Sequence, residues 1–267
     1  MGDRSATWSG AEESSSQRRF TICRFETVDS TNRWVLEAAR SGAPDGLVAV
    51  ADHQTGGRGR RGRTWAAPPG SSLLASVLVR PTVSVDRIHL LTMAGGLALA
   101  DAVGAVAGFD ASLKWPNDLV VGDRKLAGLL AEADISGTGV RDAVVHSVVH
   151  SVVLGVGCNV SQLEFPAELA RTATSCALEA GRAVDRDAVL GAFLEHLGGY
   201  LDALDSVALA YRARLATLGR VVRVDLGHDI VEGTALGVDD AGRLEVEVSD
   251  GSRVAVAVGD VVHVRPA

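Results

Sequence analysis

The sequence predicts an α/β chain: a large domain in which strands and helices alternate, followed by a small β-barrel. Three observations lead there. The 267 residues are 47% hydrophobic but only 4% aromatic, enough for a substantial core built mostly from Val, Leu and Ala. Apolar runs with the character of buried strands, Leu47 to Ala51 and Ser72 to Val79, share the chain with stretches of helical spacing. From Gly219 onward brief Val-rich alternating segments are broken by Gly227-His228, Asp239-Asp240-Ala241-Gly242 and Asp250-Gly251, the pattern of a small barrel. The expected division is a disordered tail over 1–17, a main domain over 18–218 and the barrel over 219–267.

Taken in order, Phe20 to Phe25 reads as a first strand, and Ser30-Thr31-Asn32 then offers capping side chains for a helix from Arg33 to Arg40 that stops near Ser41-Gly42. The runs at 47–51 and 72–79 follow as strands. Ile88 to Val106 has helical spacing and reads as a core helix, in spite of the helix cost of Gly95 and Gly96. The apolar run ending at Val121, the Gly122-Asp123 turn and the run from Lys125 to Glu132 make a hairpin. From Val144 the chain repeats His146-Ser147-Val148-Val149 as His150-Ser151-Val152-Val153, a short tandem duplication inside a strand. Residues four apart on a strand stand about 13 Å from each other, too far for the two histidines to share an ion. Asp185 to Leu204 and Ser206 to Leu218 complete the main domain as helices.

Charge and cysteine content narrow the function classes. With 26 Lys+Arg against 33 Asp+Glu the net charge is -7, whereas nucleic-acid-binding domains usually carry a basic surplus. The barrel segment is acidic too, which favours contact with a protein partner or the main domain's ligand lid. Its five arginines, Arg220, Arg223, Arg243, Arg253 and Arg265, are outnumbered by Asp and Glu. No window approaches the roughly 18 uncharged apolar residues that span a bilayer, and the Ser-, Gly- and Glu-rich start lacks the apolar core of a signal peptide. Cys23, Cys158 and Cys176 are odd in number and widely spaced, which fits buried thiols in a reducing, cytoplasmic compartment.

The most unusual segment is Gln54-Thr55-Gly56-Gly57-Arg58-Gly59-Arg60-Arg61-Gly62-Arg63-Thr64-Trp65. Four arginines and four glycines fill the positions from Gly56 to Arg63. Glycine lets the backbone turn and come close to a ligand, and arginine adds a permanent charge with a planar fork of donors. Such a run serves as a nucleic-acid tether, a solvated turn or an anion-binding loop. Its place between two buried strands and the acidic balance of the chain favour the anion.

Four segments now carry unusual chemistry in a fixed order: Ser30-Thr31-Asn32; Gln54 to Trp65; Lys114-Trp115-Pro116-Asn117-Asp118 with Lys125-Leu126-Ala127-Gly128; and Gly155-Val156-Gly157-Cys158-Asn159. Together they resemble the biotin-protein ligases from about Phe20 to the C-terminus. The resemblance implies a mixed sheet with flanking helices and a C-terminal barrel, and a reaction in two steps. Biotin's carboxylate attacks the α-phosphate of ATP, brought with Mg²⁺, to give biotinyl-adenylate and pyrophosphate. A lysine of a biotin carboxyl carrier protein or domain, as in acyl-CoA carboxylases, then takes the biotinyl group. A lipoate-protein ligase is the related alternative, and a biotin-binding regulatory module without catalysis another. The form expected here is monofunctional, without an N-terminal DNA-binding domain, because only about 17 residues precede the first strand. A ligand-dependent homodimer is left open.

The resemblance also implies roles. Ser30, Thr31, Asn32, Gln54, Arg58, Gly59, Arg60, Trp65 and Lys125 form the biotin site, with Ser30 and Thr31 also able to cap the helix and Trp65 either closing over the ligand or filling the core. Arg58, Arg60, Arg63, Trp115, Asn117, Lys125 and Asn159 hold ATP and the adenylate. Arg60, Lys125 and Asp118 are the catalytic candidates, because two anions meet only when charge is neutralised and positioned. Asp118 either reaches Mg²⁺ or helps to deprotonate the acceptor lysine. Cys176 stands where the family usually has Leu after Thr174-Ser175, and Cys158 where a larger aliphatic is common.

Overall fold

The computed structural model describes residues 19–81, 83–141, 144–257 and 259–264. The tail expected over 1–17 and the last three residues lie outside them. Seven strands form a mixed sheet in the order β1-β2-β3-β7-β6-β5-β4. They are β1 (Thr21–Val28), β2 (Leu47–Gln54), β3 (Ser72–Val79), β4 (Ser112–Lys114), β5 (Asp118–Val121), β6 (Arg124–Arg141) and β7 (Val144–Asn159). Only β1 and β2 run parallel, and helix α1 (Thr31–Arg40) supplies the crossover that a parallel pair needs.

The sheet is covered on both faces. Strand side chains alternate, so Leu73, Ala75, Val77 and Val79 of β3 and Val152, Leu154, Val156 and Cys158 of β7 join one core. Helices α2 (His89–Ala107) and α4 (Arg186–Asp202) pack on this side. Leu47, Ala49, Leu78 and Val153 point the other way, against Val35 and Ala39 of α1. Burial of a Val or Leu side chain is worth about 1.5–3 kcal/mol, which holds the three layers together.

Helix α2 amends the expectation about membrane spans. The stretch Val85–Ala107 is long and apolar enough to cross a bilayer, with mean hydropathy 1.7, yet 72% of its apolar window is buried inside the protein. It is apolar all round because the sheet lies on one side and α4 and α5 (Leu204–Ala213) on the other. Gly95 and Gly96 offset their helix cost by close packing. A Cβ at Gly95 would stand 2.6 Å from Leu154 Cδ2, and one at Gly96 2.9 Å from Leu113 Cδ2.

Several boundaries differ from those read in the sequence. The Lys-Trp-Pro-Asn-Asp box is itself a hairpin turn between β4 and β5, with a cis Trp115–Pro116 bond, so two hairpins stand where one was expected. The last helix stops at Ala213 because the following segment pairs with β4 instead, Leu113 N–H donating to Arg214 O and Ala216 N–H to Leu113 O. The histidine repeat lies on β7, as expected for a strand duplication.

The C-terminal segment is an open antiparallel sheet, not a closed barrel. Its strands β8 (Val221–Asp225), β9 (Ile230–Val238), β10 (Leu244–Glu247), β11 (Arg253–Val256) and β12 (Asp260–His263) lie in the order β11-β10-β9-β8-β12. The end strands are four residues each and do not pair with one another. Closure is unnecessary, because Val222, Val224, Leu244 and Val246 belong to the same apolar core as α2 and the main sheet.

Candidate active site

A cleft of about 1000 Å³ opens between the N-terminus of α1, the arginine loop, the β4–β5 turn and the edge of the C-terminal sheet. That is ample for a small-molecule site. Its floor belongs to the α1 side of the sheet, where alternation places Ser72, Leu74 and Ser76 of β3 beside Asn159, Gly157 and Gly155 of β7. The two glycines make room. A Cβ at Gly155 would collide with the Asn32 side chain, and one at Gly157 would come within 2.7 Å of the Trp65 indole.

The floor is a buried polar network. Ser30 caps α1 by accepting from Arg33 N–H, which fixes the turn that aims Thr31 and Asn32 at the sheet. Thr31 N–H donates to Gln54 Oε1 at 2.7 Å, with Thr31 Oγ1 3.0 Å from the same oxygen. The Gln54 carbonyl is thus occupied, and its NH₂ is the half able to donate to a bound molecule. Ser76 Oγ donates to Asn32 Oδ1 at 2.6 Å and lies 2.7 Å from Thr31 Oγ1. Asn32 Nδ2 in turn donates to Glu132 Oε2 at 2.7 Å. Removing one member would leave a buried partner unpaired, at about 1–3 kcal/mol.

At the other end the chemistry is ionic. Lys125 Nζ sits 2.7 Å from Asp118 Oδ1 and 5.7 Å from the Trp65 ring centroid. The β5–β6 pairing brings these residues together by setting Asp118 opposite Gly128. Asn117 donates from Nδ2 to Leu129 O and accepts from Arg60 NH1 at 3.1 Å, so it orients that guanidinium. Burial pushes Arg60 below its usual value, opposed by Asp260 and Asp118; it remains a cation at ordinary pH. Burial also lowers Lys114, with Asp118 opposing. His263, beside Lys114 and Arg220, is pushed down to about 4, chiefly by burial, and Asp123 only partly offsets this. It is neutral at pH 7.

The arginine loop is a tight turn. Gly59 N–H donates to Arg63 O at 2.7 Å, Trp65 N–H to Gly57 O at 3.0 Å, and Arg61 takes φ 55°. Arg58, Arg60 and Arg63 line the cleft, while Arg61 is absent from its wall.

Of the residues anticipated from sequence, the cleft gathers Ser30, Thr31, Asn32, Gln54, Arg58, Gly59, Arg60, Arg63, Trp65, Asn117, Asp118, Lys125 and Asn159. Trp115 is the exception and corrects the expectation that it meets the nucleotide. It is 1% exposed and turned away from the cleft, its Nε1 donating to Gly242 O at 3.0 Å and its backbone N–H to Thr217 Oγ1. It ties the β4–β5 turn to the C-terminal sheet. Sequence reading passed over Ser76, Glu132 and Asp260; only strand register or tertiary contact reveals them.

Comparison with known proteins gives two family matches that together span most of the chain. The biotin/lipoate A/B protein ligase family matches residues 24–159, and the biotin protein ligase C-terminal domain matches 217–264. A biotin–(acetyl-CoA-carboxylase) ligase of Mycobacterium tuberculosis is 42% identical over 247 residues, 88% of this chain and 86% of that protein. The chain belongs to the biotin protein ligase family. The bifunctional ligase/repressor of Bacillus subtilis is 31% identical, over 85% of this chain and 69% of its own length. Among solved structures, a biotin protein ligase from Aquifex aeolicus in complex with biotin and ATP superposes with TM-score 0.75 at 26% identity, covering 92% of this chain and 99% of that one.

Proposed function

We propose that this biotin protein ligase joins biotin to ATP in the cleft and passes the biotinyl group to a lysine of a biotin carboxyl carrier protein or domain. The observation that carries the residue assignment is the meeting of three features in one cleft: the buried Thr31–Gln54–Ser76–Asn32 floor, the Lys125–Asp118 pair and the arginine loop.

The floor suits biotin, whose ureido ring needs paired donors and acceptors within an otherwise apolar pocket. Gln54 and Ser30 present them, and Trp65 packs along the chain of the ligand. The carboxylate end is thereby directed to Lys125, whose ammonium neutralises it and the α-phosphate oxygen as the two anions approach. Arg58 and Arg60 supply further donors to the phosphate, and Asn117 keeps Arg60 aimed. Asp118 holds Lys125 in place in the first step and is positioned to accept a proton from the acceptor amine in the second.

Among the described residues no cluster of three or more His, Cys, Asp or Glu side chains could hold a metal alone. Magnesium keeps several waters and binds through one or two carboxylates plus substrate phosphates, so it fits as a companion of ATP, with Asp118, Asp123, Glu164 and Glu168 the carboxylates that line the cleft. The free thiols of Cys23, Cys158 and Cys176 support a reducing, cytoplasmic setting. The reading includes ligand-dependent self-association without nucleic-acid binding, checked by sedimentation with and without biotin plus ATP and by a DNA gel shift.

The test is biotin-dependent pyrophosphate release from ATP, with lipoate as the control, followed by addition of a carrier domain. Biotin is expected to drive release and the carrier to become labelled. Release with lipoate but not biotin would refute the assignment.

A further inference from the structure

The arginine that does not face the cleft has a partner surface of its own. Arg61 NH1 donates to Asp225 O at 3.0 Å and approaches Asp260 Oδ2 at 3.4 Å, and its NH2 stands 3.8 Å from Asp225 Oδ1. A Cβ at Gly227 would strike the same guanidinium, so the turn after β8 is shaped around it. Asp260 is shared: its Oδ1 takes Arg63 NH2 at 2.8 Å while its Oδ2 faces Arg61. Arg60 NH1 reaches Gly259 O at 3.4 Å. Contacts from three arginines, Arg60, Arg61 and Arg63, thus bind the loop to the start of β12 and the end of β8. Arg61 is also the one non-glycine residue at positive φ among the described residues, a conformation that costs about 1–3 kcal/mol and persists only when surroundings impose it.

We propose that Arg61 is a positioning residue that pegs the arginine loop to the C-terminal sheet through Asp225 and Asp260, and so sets how long the activated intermediate is kept in the cleft. The proposal deepens the function proposed above: a mixed acyl-phosphate anhydride is lost to water or stray amines unless the loop stays over it. Division of labour follows from position. Arg58, Arg60 and Arg63 line the cleft, Arg60 and Arg63 also touching the C-terminal sheet, whereas Arg61 lies outside the cleft wall and serves as anchor. The pairs are partly exposed, with Arg61 36% and Asp260 31% accessible, so each is weak, and salt screens them. A weak peg can release for product to leave.

Arg61→Gly and Arg61→Asn are the tests, because both residues tolerate the positive φ and lose the anchor, and Asn does so without glycine's extra backbone freedom. The first measurement needs no ligand: amide exchange at Gly59 and Arg63, whose N–H groups are bonded inside the loop. We expect exchange about fivefold faster in Arg61→Gly and Arg61→Asn, faster also in Asp260→Asn, the two effects less than additive in the double variant because they share the Arg61–Asp260 pair, and Arg61→Lys in between. The second is the half-life of enzyme-held biotinyl-adenylate. It should shorten about fivefold in Arg61→Gly, with more labelling of bystander proteins, and should fall with added salt more steeply in the wild type than in the variant, which keeps only the Arg63–Asp260 pair. Exchange and retention in Arg61→Gly equal to wild type would overturn the peg. Absence of biotin-dependent pyrophosphate release in the wild type would instead count against the proposed function, leaving the exchange result to decide the peg.

Discussion

The two ends of the cleft are built on different physics. The floor under α1 is held by buried hydrogen bonds among Thr31, Asn32, Ser76 and Gln54, all on regular elements. The arginine loop is held by part-exposed ion pairs to Asp225 and Asp260, on a turn with a residue at positive φ. A buried network fails at high cost and therefore fixes one shape; exposed pairs contribute little singly and can be exchanged for phosphate oxygens. Recognition of a neutral ring needs the first, and capture and release of a charged intermediate needs the second.

Variants that act at one end but not the other can break this contrast. The largest effect is expected from Lys125→Ala, which removes the cation next to Asp118: adenylate formation should fall about 10²–10³-fold in a rapid-quench assay with biotin affinity much less affected. A variant that made adenylate normally would refute the role. Next is Gly155→Ala, whose methyl group meets Asn32. Overpacking of about 1–3 kcal/mol should weaken biotin binding tenfold or more by calorimetry and leave the ATP KM nearly unchanged. At the loop end, Arg60→Gly removes the guanidinium held by Asn117 and should speed adenylate escape about tenfold; unchanged escape would place retention elsewhere.

The smallest effect concerns pH. His263 is depressed to about 4 in the folded protein by burial and by Lys114 and Arg220, against Asp123. Between its ordinary value of about 6.5 and 4 the unfolded chain binds the extra proton, so stability is lost as pH falls through that window and is fully present above it. Replacing His263 by Gln should remove about 1–2 kcal/mol of that acid-side loss in denaturant titrations. Identical slopes for the two proteins would exclude His263 as the cause.

Much of the cleft was legible because its residues sit in short boxes whose chemistry is local. Ser30 both caps α1 and opens the cleft, and Lys125 to Gly128 is a strand with its charge at one end. What escaped depends on distance along the chain. Ser76 belongs to the floor only because Ser72 of β3 is registered on Asn159 of β7, and Asp260 meets Arg63 from 197 residues away. Trp115 misled because neighbours in a tight turn face opposite ways: Asn117 looks into the cleft while the indole reaches Gly242. The open edge of the C-terminal sheet was equally hidden, since strand alternation shows which face is apolar but not whether the last strand returns to the first.

The pairing of β3 with β7 carries a consequence for how the protein comes into being. The two strands are far apart in sequence, with α2 and three further strands between them, so their union closes a long loop, the kind of non-local pairing that slows folding. Gly155, Gly157 and Asn159 reach the floor of the cleft only through that pairing. Conversely, biotin bound across α1, β2, β3 and β7 would stabilise the sheet as a whole by mass action. Biotin would then raise the apparent stability of the folded protein, a shift readable in thermal unfolding with and without the ligand.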